Sequence, residues 1–308
     1  MRNLLTMNST PVRRCDSSLP TMPLLKPLQQ DNILLTDIEA ACHQVTPNGK
    51  IPLHIWWLGQ SGFLIQYQGK NLLFDPYLSD SLTTKYAQTD KPHTRVSELV
   101  IDPARLPKLA VITSSHNHTD HLDAETLIPI LANSPDARLL FPEANRAFVA
   151  NRLGLPAESS ILVGLVDGQS LDLAGFRFHG VPAAHNEVQR NQKGQPKFMG
   201  FVVEIGPYKL YHSGDTLWYT GMVETLKPFG IDVAFLPING NKPERHVAGN
   251  LNPDEAARLG VAIGAKLVIP HHYDLFAFNT ANPSDFVGAC EQHKTPYRVL
   301  QLGERVSL

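Results

Sequence analysis

The segment SSHNHTDHLD places His116, His118, Asp120 and His121 within six positions. Imidazole nitrogens and a carboxylate at this density form a ligand set for zinc, manganese or iron. His116 and His118 are two apart, so in extended backbone their side chains leave the same face. Asp120 and His121 follow once the chain has turned, and can address a second point nearby. A polar loop with incidental histidines is the plain alternative.

Four residues cannot complete two metal sites. Further ligands are expected at later strand ends, and three segments supply them. VPAAHNE offers His185, YHSGDT offers Asp215, and VIPHHYDLF offers His271 and His272. One such residue alone would ordinarily be a satisfied polar group. Three of them together with the His116 cluster point to a shared centre.

The elements that must carry these residues follow from periodicity. Asp31 to His43 has helical apolar spacing. HIWWLG (54–59), GFLIQY (62–67) and NLLFDP (71–76), separated by turn residues, predict an antiparallel meander. LAVITS (109–114) and ARLLFP (137–142) read as buried strands, with helices beginning near Asp123 and running from Glu143 to Leu153. The second half repeats the plan. SLDLAGFRFHGVPA, GFVVEIGPYKLYHSG, VAFLPING and LVIPHH (267–272) are predicted strands, and Pro253–Gly264 and Pro283–His293 predicted helices. Hairpins followed by strand–helix units, twice over, predict an αββα sandwich: two mixed sheets flanked by helices, an α/β fold with the halves as a weak duplication. Residues 25–308 read as one domain and residues 1–24 as a mobile tail.

Composition narrows the function classes. The 308 residues are 43% hydrophobic and 18% charged with a net charge of −2, so no basic stripe suggests a nucleic-acid partner. No apolar run approaches the ~20 residues of a membrane span. Cys15, Cys42 and Cys290 are too scattered for a disulfide framework, which suits the cytoplasm. The first twenty residues lack a signal peptide's apolar core, although Arg2, Arg13 and Arg14 without early acids are compatible with a cleaved organelle-targeting segment. The oligomeric state is open, a homo-oligomer included.

HxHxDH, a later histidine, an aspartate in a GD turn and a last histidine in an IPxH turn resemble the metallo-β-lactamase superfamily, from about residue 50 to 305. WWLGQSG, DPYLSD, SHNHTDHLD, YHSGDT, NLNPDEAARL and VIPHHYDLF resemble the branch of the L-ascorbate-6-phosphate lactonases and, more distantly, the N-acyl-phosphatidylethanolamine phospholipase D enzymes.

The resemblance implies two divalent ions, zinc or manganese. His116, His118 and His185 would hold the first, Asp120, His121 and His272 the second, and Asp215 would bridge them. His272 is preferred to His271 because the branch pattern is IPxH followed by an aromatic. His271 would stand behind the ligands or donate a proton. His185 lies where the likeness to the lactonases is weakest. A metal-bound hydroxide would attack a carbonyl carbon or a phosphorus, with Asp120 orienting it and carrying its proton. Asp75 either fixes the tautomer of a ligand histidine or caps a backbone N–H.

For the substrate, Lys242 or Arg245 could bind a phosphate, or be solvated loop charges. Asn186 and Tyr273 flank predicted ligands, and touch substrate or pack. Trp56, Trp57 and Trp218 read as core or rim aromatics. The expected function is metal-dependent hydrolysis of a small sugar-like lactone, phosphorylated or not. The alternatives are a phosphodiesterase on a phospholipid or nucleotide, and a non-enzymatic binder.

Overall fold

A computed structural model describes residues 23–308. Of the expected tail, residues 1–22 and with them Cys15 lie outside the described residues, while Pro23 and Leu24 are exposed.

The first sheet contains β1 (His54–Gly59), β2 (Gly62–Tyr67), β3 (Lys70–Phe74), β4 (Val111–Thr113), β5 (Arg138–Pro142) and β6 (Leu162–Leu165). The second contains β7 (Ser170–Leu173), β8 (Phe176–Pro182), β9 (Met199–Ile205), β10 (Tyr208–His212), β11 (Val233–Pro237) and β12 (Leu267–His271). The chain ends in β13 (Arg305–Ser307), which returns to pair with β1. Spatial order is β13-β1-β2-β3-β4-β5-β6 in one sheet and β12-β11-β10-β9-β8-β7 in the other. Each sheet has an antiparallel portion, β13 to β3 and β7 to β10, that continues as parallel strands, β3 to β6 and β10 to β12. The duplication read from the sequence is this shared plan.

Among the described residues seven α-helices accompany the sheets: α1 (Asp31–Ala41), α2 (Ser81–Tyr86), α3 (Ala124–Asn133), α4 (Arg146–Leu153), α5 (Met222–Leu226), α6 (Pro253–Ile263) and α7 (Pro283–His293). Their starts are written in side chains. Asp123 accepts the N–H of Thr126 to open α3, and Asn252 with Glu255 forms a capping box before α6. Pro253 and Pro283 occupy the first helical positions, where no N–H is needed. Strands β1 and β11 are buried at every position, on both faces, as strands covered by a second sheet and by helices must be. One apolar cluster runs between the sheets and includes Leu64, Phe141, Phe201 and Phe235.

Local differences from expectation have simple causes. The helix expected from Glu143 begins as a single 3-10 turn, Glu143–Asn145, before α4. LAVITS supplies only a three-residue strand because the chain must leave the sheet at Ser114 to form the loop beyond it. Among the described residues no helix is long and apolar enough to cross a membrane.

Candidate metal centre

β1, β3, β4, β8, β10 and β12 all run the same way within their sheets, and the residues after their carboxyl ends face one crevice. Such ends are where α/β sheets bind ligands, because the loops there are free to diverge. Gln60 follows β1, Asp75 follows β3, the 116–121 loop follows β4, His185 follows β8, Asp215 follows β10 and His272 follows β12.

The geometry brings all seven expected ligands together in two adjoining groups. His116, His118 and His185 form one, and Asp120, His121, Asp215 and His272 the other, with the donor atoms of each group within 4.8 Å of one another. Asp215 touches both groups. Its Oδ2 lies 3.6 Å from His185 Nε2 and 3.5 Å from His272 Nε2, and its Oδ1 lies 3.3 Å from His121 Nε2.

Hydrogen bonds orient the rings. His121 Nδ1 donates to Asp75 Oδ2 at 2.8 Å, and His185 Nδ1 donates to the Gly249 carbonyl at 2.8 Å. His116 Nδ1 meets Ser115 Oγ at 3.0 Å. Each bond leaves Nε2 turned toward the crevice, as a metal-binding imidazole requires. His116 Nε2, His121 Nε2 and Asp215 Oδ1 are buried without a hydrogen-bond partner. Unpaired buried polar atoms are rare because they are costly. Three of them converging here fit a divalent cation.

Charge tells the same story. Burial and the neighbouring His121 and His118 hold His116 well below the usual imidazole range. For His121 and His272 burial also opposes the charge, but the carboxylates of Asp215 and Asp120 outweigh it and raise both, His272 to about 9. Burial likewise works against the Asp215 carboxylate, yet His121 and His272 keep its pKa well below the ordinary value. Without a cation, protons hold these carboxylates and imidazoles together. A divalent ion would displace them.

The turn that delivers Asp215 depends on Gly214. Its φ is +59°, and a Cβ there would stand 2.5 Å from Ser115 Cβ. Asp75 meets both groups considered for it, His121 Nδ1 at 2.8 Å and the Ser115 N–H at 3.0 Å, each at Oδ2.

Several expected contacts fall elsewhere. His271 was assigned a catalytic proton, but it is fully buried away from the crevice, with Nδ1 on Ser61 Oγ at 3.0 Å and its ring stacked on His212. Burial and the neighbouring His212 hold it well below the usual imidazole pKa, which favours the neutral ring. It is the last residue of β12 and faces inward, whereas His272, at φ +71°, turns the other way. Arg245 does not reach the crevice either. Its guanidinium donates to the carbonyls of Asn239 and Thr280 and to Asn279 Oδ1, fastening its loop. Lys242 is exposed on a separate depression with Asn252 and Asp285. Asn186 accepts the Gly249 N–H, and so braces the carbonyl that holds His185. Tyr273 packs: its ring stacks on Trp57 at 4.2 Å and its hydroxyl donates to the Leu300 carbonyl. Trp56 and Trp57 are core residues, and Trp218 is partly buried beneath Arg258.

The crevice opens into a cleft of about 580 Å³. His118, Asp120, His185, Asp215 and His272 line its base, while Lys85, Lys91, His93, Phe148, Arg152 and His246 line its walls. None of these wall residues was given a role from the sequence. Gln60 was also missed. Its Nε2 donates to Asp120 Oδ2 at 2.9 Å and lies 3.0 Å from His272 Nε2. Only its place in the GQSG turn hinted at it.

Two mixed sheets with histidines and aspartates gathered beyond their carboxyl ends define a metallo-β-lactamase-type protein. The comparisons with known proteins agree. A family model described as a beta-lactamase superfamily domain matches residues 70–273. A UPF0173 metal-dependent hydrolase of Opitutus terrae is 28% identical, covering 83% of this chain and 100% of the relative. One of Rubrobacter xylanophilus is 30% identical, covering 75% and 86%. The isothiocyanate hydrolase from Delia radicum gut bacteria shares the fold, with a TM-score of 0.67 at 18% identity over 83% of this chain and 99% of that one. The chain belongs to the UPF0173 metal-dependent hydrolases of the beta-lactamase superfamily.

Proposed function

We propose that the chain is a dinuclear metal-dependent lactonase acting on a small sugar-like metabolite. The observation that carries the metal-dependent part is the pair of adjoining ligand groups, with their unpartnered buried atoms, at the base of an open cleft. The lactone rests on the likeness of WWLGQSG, SHNHTDHLD, YHSGDT and VIPHHYDLF to the lactonase branch.

His116, His118 and His185 would hold one ion and Asp120, His121 and His272 the other, with Asp215 between them. This imidazole–carboxylate set suits zinc or manganese. When bound, such ions lower the pKa of water and polarise an electrophilic oxygen. Asp120 lines the cleft, and its carboxylate can take a proton from the attacking water and return it to the leaving oxygen. Gln60 fixes that carboxylate against His272. Asp75 keeps His121 turned toward the site. The reading takes residues 25–308 as one domain, supported by the main apolar cluster, which draws on strands of both sheets, and the cytoplasm as its setting.

The test is metal content together with activity on a panel of sugar lactones and bis(p-nitrophenyl) phosphate. Lactone hydrolysis that chelation abolishes and zinc or manganese restores is expected. Turnover of the phosphodiester with every lactone intact would replace this reading with a phosphodiesterase. Silence on both, with no metal bound, would leave a binding protein.

A further inference from the structure

The cleft is unequal in charge. Among the described residues its only carboxylates are Asp120 and Asp215, both among the expected ligands, whereas its walls carry Lys85, Lys91 and Arg152. Elsewhere in the molecule Arg95, Arg146 and Arg190 are paired with Asp80, Glu143 and Asp167. Among the described residues the three cleft cations have no carboxylate partner. They are nevertheless held in place.

Lys85 Nζ donates to Thr119 Oγ1 at 3.2 Å and lies over the Tyr86 ring. Lys91 Nζ donates to the His246 carbonyl at 2.7 Å. Arg152 Nη1 donates to the carbonyls of Asn117 and Leu122, each at 3.0 Å, and its guanidinium sits 4.5 Å from the Phe148 ring centre. Two of the three are thus fastened to the loop that carries His116 to His121. The bonds of Arg152 use Nη1, leaving Nη2 and Nε without a partner among the described residues. Burial holds its pKa below the usual guanidinium value, only partly offset by Asp123, so the charge has lost water without gaining a counter-ion. A half-buried cation in that position is stabilised by an arriving anion.

We propose that Lys85, Lys91 and Arg152 form a recognition subsite for an anionic group, a phosphate or a carboxylate, carried by the substrate away from its scissile bond. The assignment of that anion to the substrate rests on the hydrolase reading; the existence of the subsite does not.

The experiment is calorimetric titration of the metal-loaded protein with glucose 6-phosphate, gluconate and glucose, which needs no turnover. The expected result is binding of one or both anions, weakened at high salt, with no comparable binding of glucose. Glucose 6-phosphate against gluconate identifies the anion. Neutralising one cation should weaken anion binding about tenfold, the size of a charge-assisted hydrogen bond. Arg152→Gln also releases Asn117 and Leu122, so the double variant Lys85→Gln/Lys91→Gln is read beside it. Anion binding unchanged in both variants would mean that the anion sits on the metal ions alone, and would overturn the subsite. So would binding of neither anion. Anion binding lost in the variants supports the subsite even if every lactone is left intact, an outcome that removes only the lactonase reading.

Discussion

Asp75 Oδ2 accepts the Nδ1 proton of His121 at 2.8 Å, with both side chains sealed from solvent. The same carboxylate accepts the N–H of Ser115, at the root of the loop bearing four of the seven expected ligands. It therefore sets the orientation of one ring and the position of the whole loop. Asp75→Asn keeps the shape and tolerates the local φ of +34°, but removes the charge that makes His121 a strong donor. We expect affinity for one ion to fall about 10- to 100-fold with the fold intact, as for other groups that orient metal-binding histidines. Calorimetric zinc titration against a circular dichroism control checks it; unchanged affinity would show that His121 needs no carboxylate behind it.

Gly214 gives a stability prediction. An alanine there must adopt φ +59° and also push Ser115 aside from 2.5 Å. Strain of about 1–3 kcal/mol is expected, together with displacement of Asp215. Urea unfolding should show the lower midpoint, and metal titration the weaker binding. An alanine variant as stable as wild type would mean that the turn has room the structure does not show.

How far the site could be read in advance depended on whether a residue's role was local. His116, His118, Asp120 and His121 announce themselves because their spacing is the geometry. His185, Asp215 and His272 were legible as strand ends, since a polar residue closing an apolar run marks where a sheet stops. Of the two histidines closing β12 the sequence pattern preferred His272, and the backbone turn there, φ +71°, carries it into the crevice while His271 stays behind it. The proton-donor role considered for His271 needed its burial to be seen. Arg152 could not be found at all. It sits on α4, and nothing local to that helix says that the helix end docks beneath the ligand loop. Short elements escaped for a related reason. β6 and β13 are four and three residues long, and exist because a neighbouring strand is there to pair with them.

The metal-free protein should lose stability as the solution turns alkaline. His272 is raised to about 9 in the fold from an ordinary value of 6.5. A raised pKa contributes stability that is full below the unfolded value and disappears as pH climbs through the folded one. His121 is shifted in the same direction, and the histidines that burial lowers change charge only below 6.5. The unfolding midpoint should therefore fall between about pH 6.5 and 9, and zinc should abolish most of the fall. Zinc binding near neutrality should release protons, visible in calorimetry as a heat that depends on the buffer's ionisation enthalpy. A midpoint that rises through this window would contradict the shift.

His271 and His272 allow the sharpest comparison, because neighbours in sequence are given opposite tasks. His272→Ala removes a group at 3.5 Å from both Asp120 and Asp215, so bound metal should drop by one ion and turnover should collapse. Its side chain lies outside the apolar cluster, so the fold should survive, with the metal-free form less stable for want of the partner of Asp120 and Asp215. His271→Leu removes the partner of Ser61 Oγ in a sealed setting. An unsatisfied buried hydroxyl costs about 1–3 kcal/mol, so unfolding should come earlier while metal content stays at the wild-type level. Plasma emission spectrometry and urea unfolding on the two variants read both effects. If His271→Leu loses an ion and His272→Ala keeps both, the ligand is the other histidine, and β12 must end one residue sooner than the structure places it.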